Sequence, residues 1–184
     1  MKIPVVGMDP SFSNWGIARG LLDLDIGTLE DVTLDICSPD VQKSKQVRQN
    51  SLDLARTAEL AKTALNHGRW ARAVFVEVPV GSQSARAMAS YGACLGVLGS
   101  LIAEGIQIIE VTPTEAKRAL AGKKTASKEE MIAAAVKAYP TANWPKHQGK
   151  ITKSQAEHMA DAIAAIHAGV LTPVFQNLMR LYKG

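Results

Sequence analysis

The feature that most restricts the fold of this chain is a change of hydrophobic pattern along its length. The first third contains apolar segments of strand length joined by short turns such as Asp25–Gly27, which indicates neighbouring antiparallel strands. Apolar residues then recur at helical spacing, and these helical segments alternate with short apolar runs. This order predicts a single mixed-sheet α/β domain over residues 1–184. Five strands are expected: Ile3–Met8, Trp15–Leu22, Thr28–Ile36, Ala73–Val78 and Ile106–Val111.

Helical spacing predicts one helix between the third and fourth strands, with Gly68 as its C-terminal cap, and another over Ser84–Glu104. Three capping boxes mark the expected helix starts of the last third: Thr112–Glu115, Ser127–Glu130 and Ser154–Glu157. We expect a polar loop over Thr141–Thr152, in which Trp144 packs against the domain.

Composition narrows the class of protein. No apolar run approaches the roughly 18 residues that span a bilayer, and the first ten residues meet Pro4 and Asp9 too early for a signal peptide. We therefore expect no membrane association and a cytoplasmic location. Cys37 and Cys94 stand far apart in the sequence, so they predict neither a disulfide framework nor a Cys-x-x-Cys metal site.

Positive charge is concentrated in one segment of the chain. Lys117–Lys153 contains nine basic and two acidic residues, a net charge of +7, whereas the remaining residues sum to −3. A basic surface on a slightly acidic body indicates a polyanionic partner. A solvated lysine-rich surface is the alternative interpretation.

Two carboxylates stand at the ends of predicted strands. Glu77 lies in the apolar run Val74–Val78, where a buried carboxylate needs a proton, a cation or a metal. Asp9 ends the first strand and begins a tight turn, which is also a common structural role for Asp before Pro.

A third element of the predicted site is the helix that follows Ser154. His158 and Asp161 are three residues apart and share one face of this helix, whereas Glu157 is expected to serve the capping box. Together with Asp9 and Glu77 they form an oxygen-rich set that suits Mg²⁺ or Mn²⁺. Two such ions can stabilise the attacking and leaving oxygens of a phosphodiester displacement.

At this point the chain resembles the RuvC family of Holliday-junction resolvases, within the RNase H-like nuclease superfamily. Four segments carry the resemblance in order: Gly7–Gly16, which is similar to a G-x-D-P-G-x-x-x-x-G opening; Val76–Glu77 with Gly92 and Gly96; Val111–Lys128, with Thr112-Pro113, Lys117 and Gly122; and Ala156–Ala162, which is similar to a final D/H-x-A-D-A motif.

The resemblance implies an RNase H-like fold with a five-stranded mixed sheet flanked by helices. It also implies a homodimer that binds four-way DNA junctions and nicks two strands symmetrically, with DNA recombination and repair as the setting. Carried over by position, the catalytic and metal-binding set is Asp9, Glu77, His158 and Asp161, with two Mg²⁺ or Mn²⁺ ions at each site. Lys117 and Lys128 match family lysines near the site. From the basic segment we expect Lys117, Lys123, Lys124 and Lys128 to contact DNA phosphates.

The chain departs from the family pattern in two places. Ser11 replaces a glycine in the opening turn, and Val80 stands where bacterial members carry an aromatic residue that enters the junction. Two alternatives therefore stay open: a looser debranching nuclease similar to phage and viral relatives, and a non-catalytic module that binds branched DNA. The role of His158, as a ligand or as a proton carrier, is also open.

Overall fold

The computed structural model describes residues 1–41, 48–81 and 83–183. Five strands form one sheet in the order β3-β2-β1-β4-β5. They are β1 (Lys2–Asp9), β2 (Trp15–Asp23), β3 (Leu29–Cys37), β4 (Ala73–Glu77) and β5 (Ile108–Val111). Six helices accompany them: α1 (Gln49–Trp70), α2 (Ala85–Ala103), α3 (Pro113–Ala121), α4 (Lys128–Ala138), α5 (Lys153–Gly169) and α6 (Pro173–Lys183). A two-stranded hairpin, β6 (Lys146–His147) and β7 (Lys150–Ile151), connects α4 to α5.

The sheet is mixed, as the sequence predicts. β1, β2 and β3 pair antiparallel, whereas β4 runs parallel to β1 and β5 runs parallel to β4. Met8 is paired with Val76, so the next residues along β1 and β4 are neighbours at one edge of the sheet. The carboxyl ends of both strands therefore meet at this edge.

Helices cover both faces of the sheet because its central strands are apolar on both sides. Val5 and Phe75 belong to a core formed with α5, whereas Val6, Met8 and Val74 belong to a second core. The second core is completed by side chains of α1 and α2. The two-residue period of the strands thus decides which side chains face α5.

Glycines let α5 lie directly against β1 and β2. A Cβ atom at Gly7 would lie 1.9 Å from the carbonyl oxygen of Ala162, and one at Gly16 would lie 2.1 Å from that of His158. Both distances are far below van der Waals contact, so only glycine allows this approach. The position of His158 over the sheet therefore depends on Gly7 and Gly16.

Gly7→Ala is expected to destabilise the protein by about 1–3 kcal/mol or more, because overpacking forces α5 away from the sheet. Gly96→Ala is the matched control, since a Cβ there meets no atom within 4 Å and alanine favours helix by about 1 kcal/mol. Urea unfolding measures both changes. Equal stability of the Gly7→Ala and wild-type proteins would contradict this packing.

Two sequence-based expectations about helix ends and one about a loop are wrong. Gly68 lies inside α1 rather than capping it, because α1 continues to Trp70, and the residue is small because Ile106 packs against it. Thr152, not Ser154, is the N-cap of α5. The expected irregular loop before α5 contains the β6–β7 hairpin. The capping boxes of α3 and α4 are confirmed, and Val47 lies outside the described residues.

α2 is long and apolar enough, by length and composition alone, to cross a membrane. The sequence-based statement that no run approaches this length is therefore too strong. α5 and α6 reach this length and apolar character only when they are taken together as one segment, which is bent by 61°. One face of α2, which includes Cys94, Val97 and Leu101, is buried in the second core. Absence of a membrane span and a cytoplasmic location stay predictions.

Candidate active site

Asp9 and Glu77 lie side by side where β1 and β4 end. Met8 pairs with Val76 in the parallel register, and Asp9 and Glu77 are the residues that follow them on the two strands. Both residues are half-buried, and both stand an even number of residues from Val5 and Phe75, which pack against α5. Both side chains therefore lie on the α5 face of the sheet.

α5 brings the other two predicted residues to the same place. His158 Nδ1 lies 2.6 Å from Asp9 Oδ2, and the two side chains are 18% and 17% exposed. Asp161 lies one turn further along the same face and interacts electrostatically with both Asp9 and Glu77. The structure thus brings together Asp9, Glu77, His158 and Asp161, which are distant in the sequence.

The cluster formed by Asp9, Glu77, His158 and Asp161 carries more negative charge than the neighbouring cations balance. Burial, and then repulsion from Asp161 and Asp9, raises the pKa of Glu77 to about 8. Burial, and then repulsion from Asp9, raises the pKa of Asp161 to about 7. The hydrogen bond with Asp9 raises the pKa of His158. A cation at this point would relieve the repulsion that all three carboxylates share.

The four predicted DNA-contacting lysines fall into two groups. The positive charge of Lys117 opposes the raised pKa values of Glu77 and Asp161, and Lys128 interacts with Asp9 and Asp161, so both lie close to the cluster. Lys123 forms a salt bridge with Glu130 in the connection between α3 and α4, where Lys124 is also exposed. In the described part of the chain, no contact links Lys123 or Lys124 to the carboxylates.

Glu157 is a site residue that the sequence analysis assigned wrongly. One of its oxygens lies 2.9 Å from Lys128 Nζ, and the other lies 3.7 Å from His158 Nε2. It is free to make these contacts because α5 begins after Thr152, which leaves no capping box at Ser154. Glu157 therefore positions Lys128 beside the cluster. The sequence signal for this was Thr152 itself, since threonine is also among the preferred N-cap residues.

The donor set fits a divalent cation in kind and in charge. Three carboxylates and one imidazole are ligands that Mn²⁺ accepts, and the carboxylates suit Mg²⁺. Mutual repulsion among the carboxylates is the structural observation that favours such an ion. Across residues 1–41, 48–81 and 83–183, no three His, Cys, Asp or Glu side chains are already arranged as a ligand group, and Asp9 is hydrogen-bonded to His158 instead.

Among known proteins, the chain is similar to solved structures in fold but matches none in sequence. No protein-family model matches the chain, and no curated protein matches it in sequence. The structure of T. thermophilus RuvC in complex with Holliday junction substrate is similar, with a TM-score of 0.63, 22% identity, and coverage of 97% of this chain and 96% of that chain. A second Thermus thermophilus RuvC structure has a TM-score of 0.60 and 21% identity, with 97% of each chain covered. Both of these structural neighbours are RuvC structures, and the predicted RNase H-like α/β fold is confirmed.

Proposed function

We propose that this chain is a metal-dependent endonuclease that is selective for branched DNA and resolves four-way junctions by paired symmetric nicks. The observation that carries the proposal is the convergence of Asp9, Glu77, His158 and Asp161 at one edge of the sheet. The fold supports it, because a similar structure is RuvC with a Holliday junction substrate.

The proposed reaction is hydrolysis of a phosphodiester bond. Water attacks the phosphorus in line, the bond to the 3′ oxygen breaks, and the products carry a 5′-phosphate and a 3′-hydroxyl. Asp9, Glu77, His158 and Asp161 would hold Mg²⁺ or Mn²⁺, which when bound supplies charge stabilisation and a water of lowered pKa. His158 has two reasonable roles there, as a ligand or as a proton carrier. Lys117 and Lys128, together with Lys123 and Lys124, are proposed to contact DNA phosphates.

Binding of the cation is expected to release protons at neutral pH. The raised pKa values of Glu77, about 8, and Asp161, about 7, mean that the ion-free folded protein holds protons at pH 7 that the unfolded chain has lost. Its stability therefore falls as the pH rises from the ordinary carboxyl range through 8, and the cation restores stability most at high pH.

Calorimetric titration with Mn²⁺ in buffers of different ionisation enthalpy measures this release. We expect about one to two protons per protein at pH 7 and almost none at pH 9. The Glu77→Gln variant should release fewer. Binding without proton release at pH 7 would contradict the shared carboxylate site.

Symmetric cutting requires two active sites, and we propose that α2 forms the homodimer contact. Leu95 and Ile102 are exposed on α2, and a Cβ atom at Gly92 or Gly99 would meet nothing within 4 Å. These four residues alternate at spacings of three and four, so they form one apolar stripe opposite the buried face of the helix. A second copy of the stripe would bury these side chains, and the glycines would admit its backbone.

Val80 favours a second candidate, a debranching nuclease with looser substrate choice. This side chain is 83% exposed in the segment after β4, where the family resemblance expects an aromatic residue, and valine offers a base little stacking surface.

Cutting of four-way, three-way, flap and duplex DNA with Mg²⁺ or Mn²⁺ distinguishes the resolvase from the debranching nuclease. Paired nicks confined to four-way junctions support a resolvase, and nicks across all branched forms support the looser enzyme. Tight binding without nicks by the metal-loaded protein would overturn both.

A further inference from the structure

The β6–β7 hairpin is a projecting element with an ordered turn. Its strands pair Lys146 with Ile151 and His147 with Lys150. The two turn residues, Gln148 and Gly149, have φ values of 49° and 77°. Positive φ at both central positions is the geometry that matches the twist of paired strands in a two-residue hairpin. The tip is therefore a defined structure rather than an irregular loop.

The base of the hairpin is fixed to the domain in two ways. Asn143 accepts a hydrogen bond from the Leu34 backbone N–H (2.7 Å) and donates one to the Leu34 carbonyl (2.8 Å), which fills hydrogen-bonding positions on the outer edge of β3. Trp144 is buried and donates its indole N–H to the Tyr139 carbonyl at 2.9 Å. These anchors hold the hairpin at a constant position relative to the sheet.

The tip of the hairpin offers only cationic and polar side chains to solvent. Every residue of 146–150 is exposed, and residues 131–156 contain no Asp or Glu. Ile151 packs on the core and shares one face of the hairpin with its exposed partner Lys146. His147 and Lys150 lie together on the opposite face. Within the described residues, neither Lys146 nor Lys150 forms a salt bridge, and Lys153 has only a 3.8 Å contact with Glu129.

The hairpin directly precedes α5, whose N-terminal half reaches the edge of the sheet at which the carboxylates meet. Along α5 towards its N-terminus, Ala162 lies over Gly7 and His158 lies over Gly16. Gly16 is paired with Asp9, the last residue of β1. The helix then continues past this edge to Lys153, about 8 Å further along its axis, and the hairpin precedes it. Lys153 and the hairpin thus adjoin the end of α5 that carries His158, so DNA bound at the carboxylates would pass near them.

We infer that the β6–β7 hairpin is a DNA-binding finger that contacts the phosphate backbone of the duplex beside the cleaved strand, through Lys146, Lys150 and Lys153. The inference rests on the proposed function and adds a contact surface separate from Lys117 and Lys128. The anchored base supplies a fixed position and the acid-free tip supplies the charge. Phosphate contacts of this kind orient a substrate without reading its sequence.

The salt dependence of junction binding tests the finger. Lys146→Ala/Lys150→Ala is compared with wild type and with Lys62→Ala/Arg72→Ala, which removes two exposed cations from α1 and from the segment before β4. Fluorescence anisotropy with a labelled four-way junction, in Ca²⁺ to prevent cutting, gives the slope of log affinity against log salt. We expect the hairpin variant to lose about two from the slope for each bound protomer, and so about four for the proposed dimer, since each phosphate contact contributes about 0.9. The control variant should lose nothing.

The outcomes separate the two proposals. A wild-type protein that binds and cuts junctions, with an unchanged slope in the hairpin variant, would overturn the finger alone. A wild-type protein that does not bind branched DNA would overturn the proposed function and the finger with it. Thermal unfolding of the variants excludes misfolding as the cause, because the substituted side chains are exposed and equal melting temperatures are expected.

Discussion

Asp161→Asn is expected to abolish DNA cleavage while leaving binding of a four-way junction intact. The substitution removes one negative charge from the cluster that would hold the cation. Losing about 4 kcal/mol of charge stabilisation lowers a rate about 10³-fold. The same substitution removes a carboxylate whose repulsion raises the pKa of Glu77, so the ion-free variant should be more stable than wild type above pH 7.

Two measurements check this prediction, namely single-turnover cleavage in Mg²⁺ or Mn²⁺ and thermal unfolding without metal at pH 8. Glu110→Gln is the matched control, because Glu110 is an exposed acid on β5 outside the cluster. The control should retain both wild-type cleavage and wild-type stability. Undiminished cleavage by the Asp161→Asn variant would remove this residue from the site.

Leu95→Glu/Ile102→Glu is expected to convert the protein to a monomer and to eliminate paired nicking. Each fully buried Leu or Ile side chain contributes about 1.5–3 kcal/mol, and a two-fold interface contains every side chain twice. Four introduced charges would then face one another, so the dimer dissociation constant should rise by several orders of magnitude. Each active site is expected to remain intact, because α2 contributes none of its four residues.

Sedimentation equilibrium and a cruciform plasmid, which distinguishes nicked from linear products, measure these effects. The matched control is Leu171→Glu, which changes an exposed leucine that is 70% accessible near the start of α6. It should sediment like wild type. A wild-type monomer, or a dimer that survives the Leu95→Glu/Ile102→Glu change, would contradict the assignment of α2.

The features predicted correctly from the sequence are those that depend on local patterns. The five strands, and the positions of Asp9 and Glu77 at the ends of β1 and β4, follow from apolar runs that end in a carboxylate. Parallel strands then bring their carboxyl ends to one edge. His158 and Asp161 follow from helical spacing. The burial of Trp144, at 6% exposure, confirms its expected packing role.

The features that were missed depend on contacts between distant segments. Ser154 and Thr152 are both acceptable N-cap residues, so the local rule does not choose between them, and α5 begins after Thr152. Glu157 therefore received a capping role instead of its contact with Lys128. Gly68 was interpreted as a helix end because its close neighbour, Ile106, lies far along the chain. The strands of the β6–β7 hairpin are two residues each, too short to produce a detectable period.

The most direct test of the proposed site is anomalous diffraction from a crystal soaked in Mn²⁺. We predict a strong anomalous peak bound by oxygens of Asp9, Glu77 and Asp161, with His158 adjacent and its hydrogen bond to Asp9 exchanged for the ion. A fully soaked crystal that shows Mn²⁺ elsewhere and no peak among these four residues would contradict a metal-dependent nuclease site in this chain.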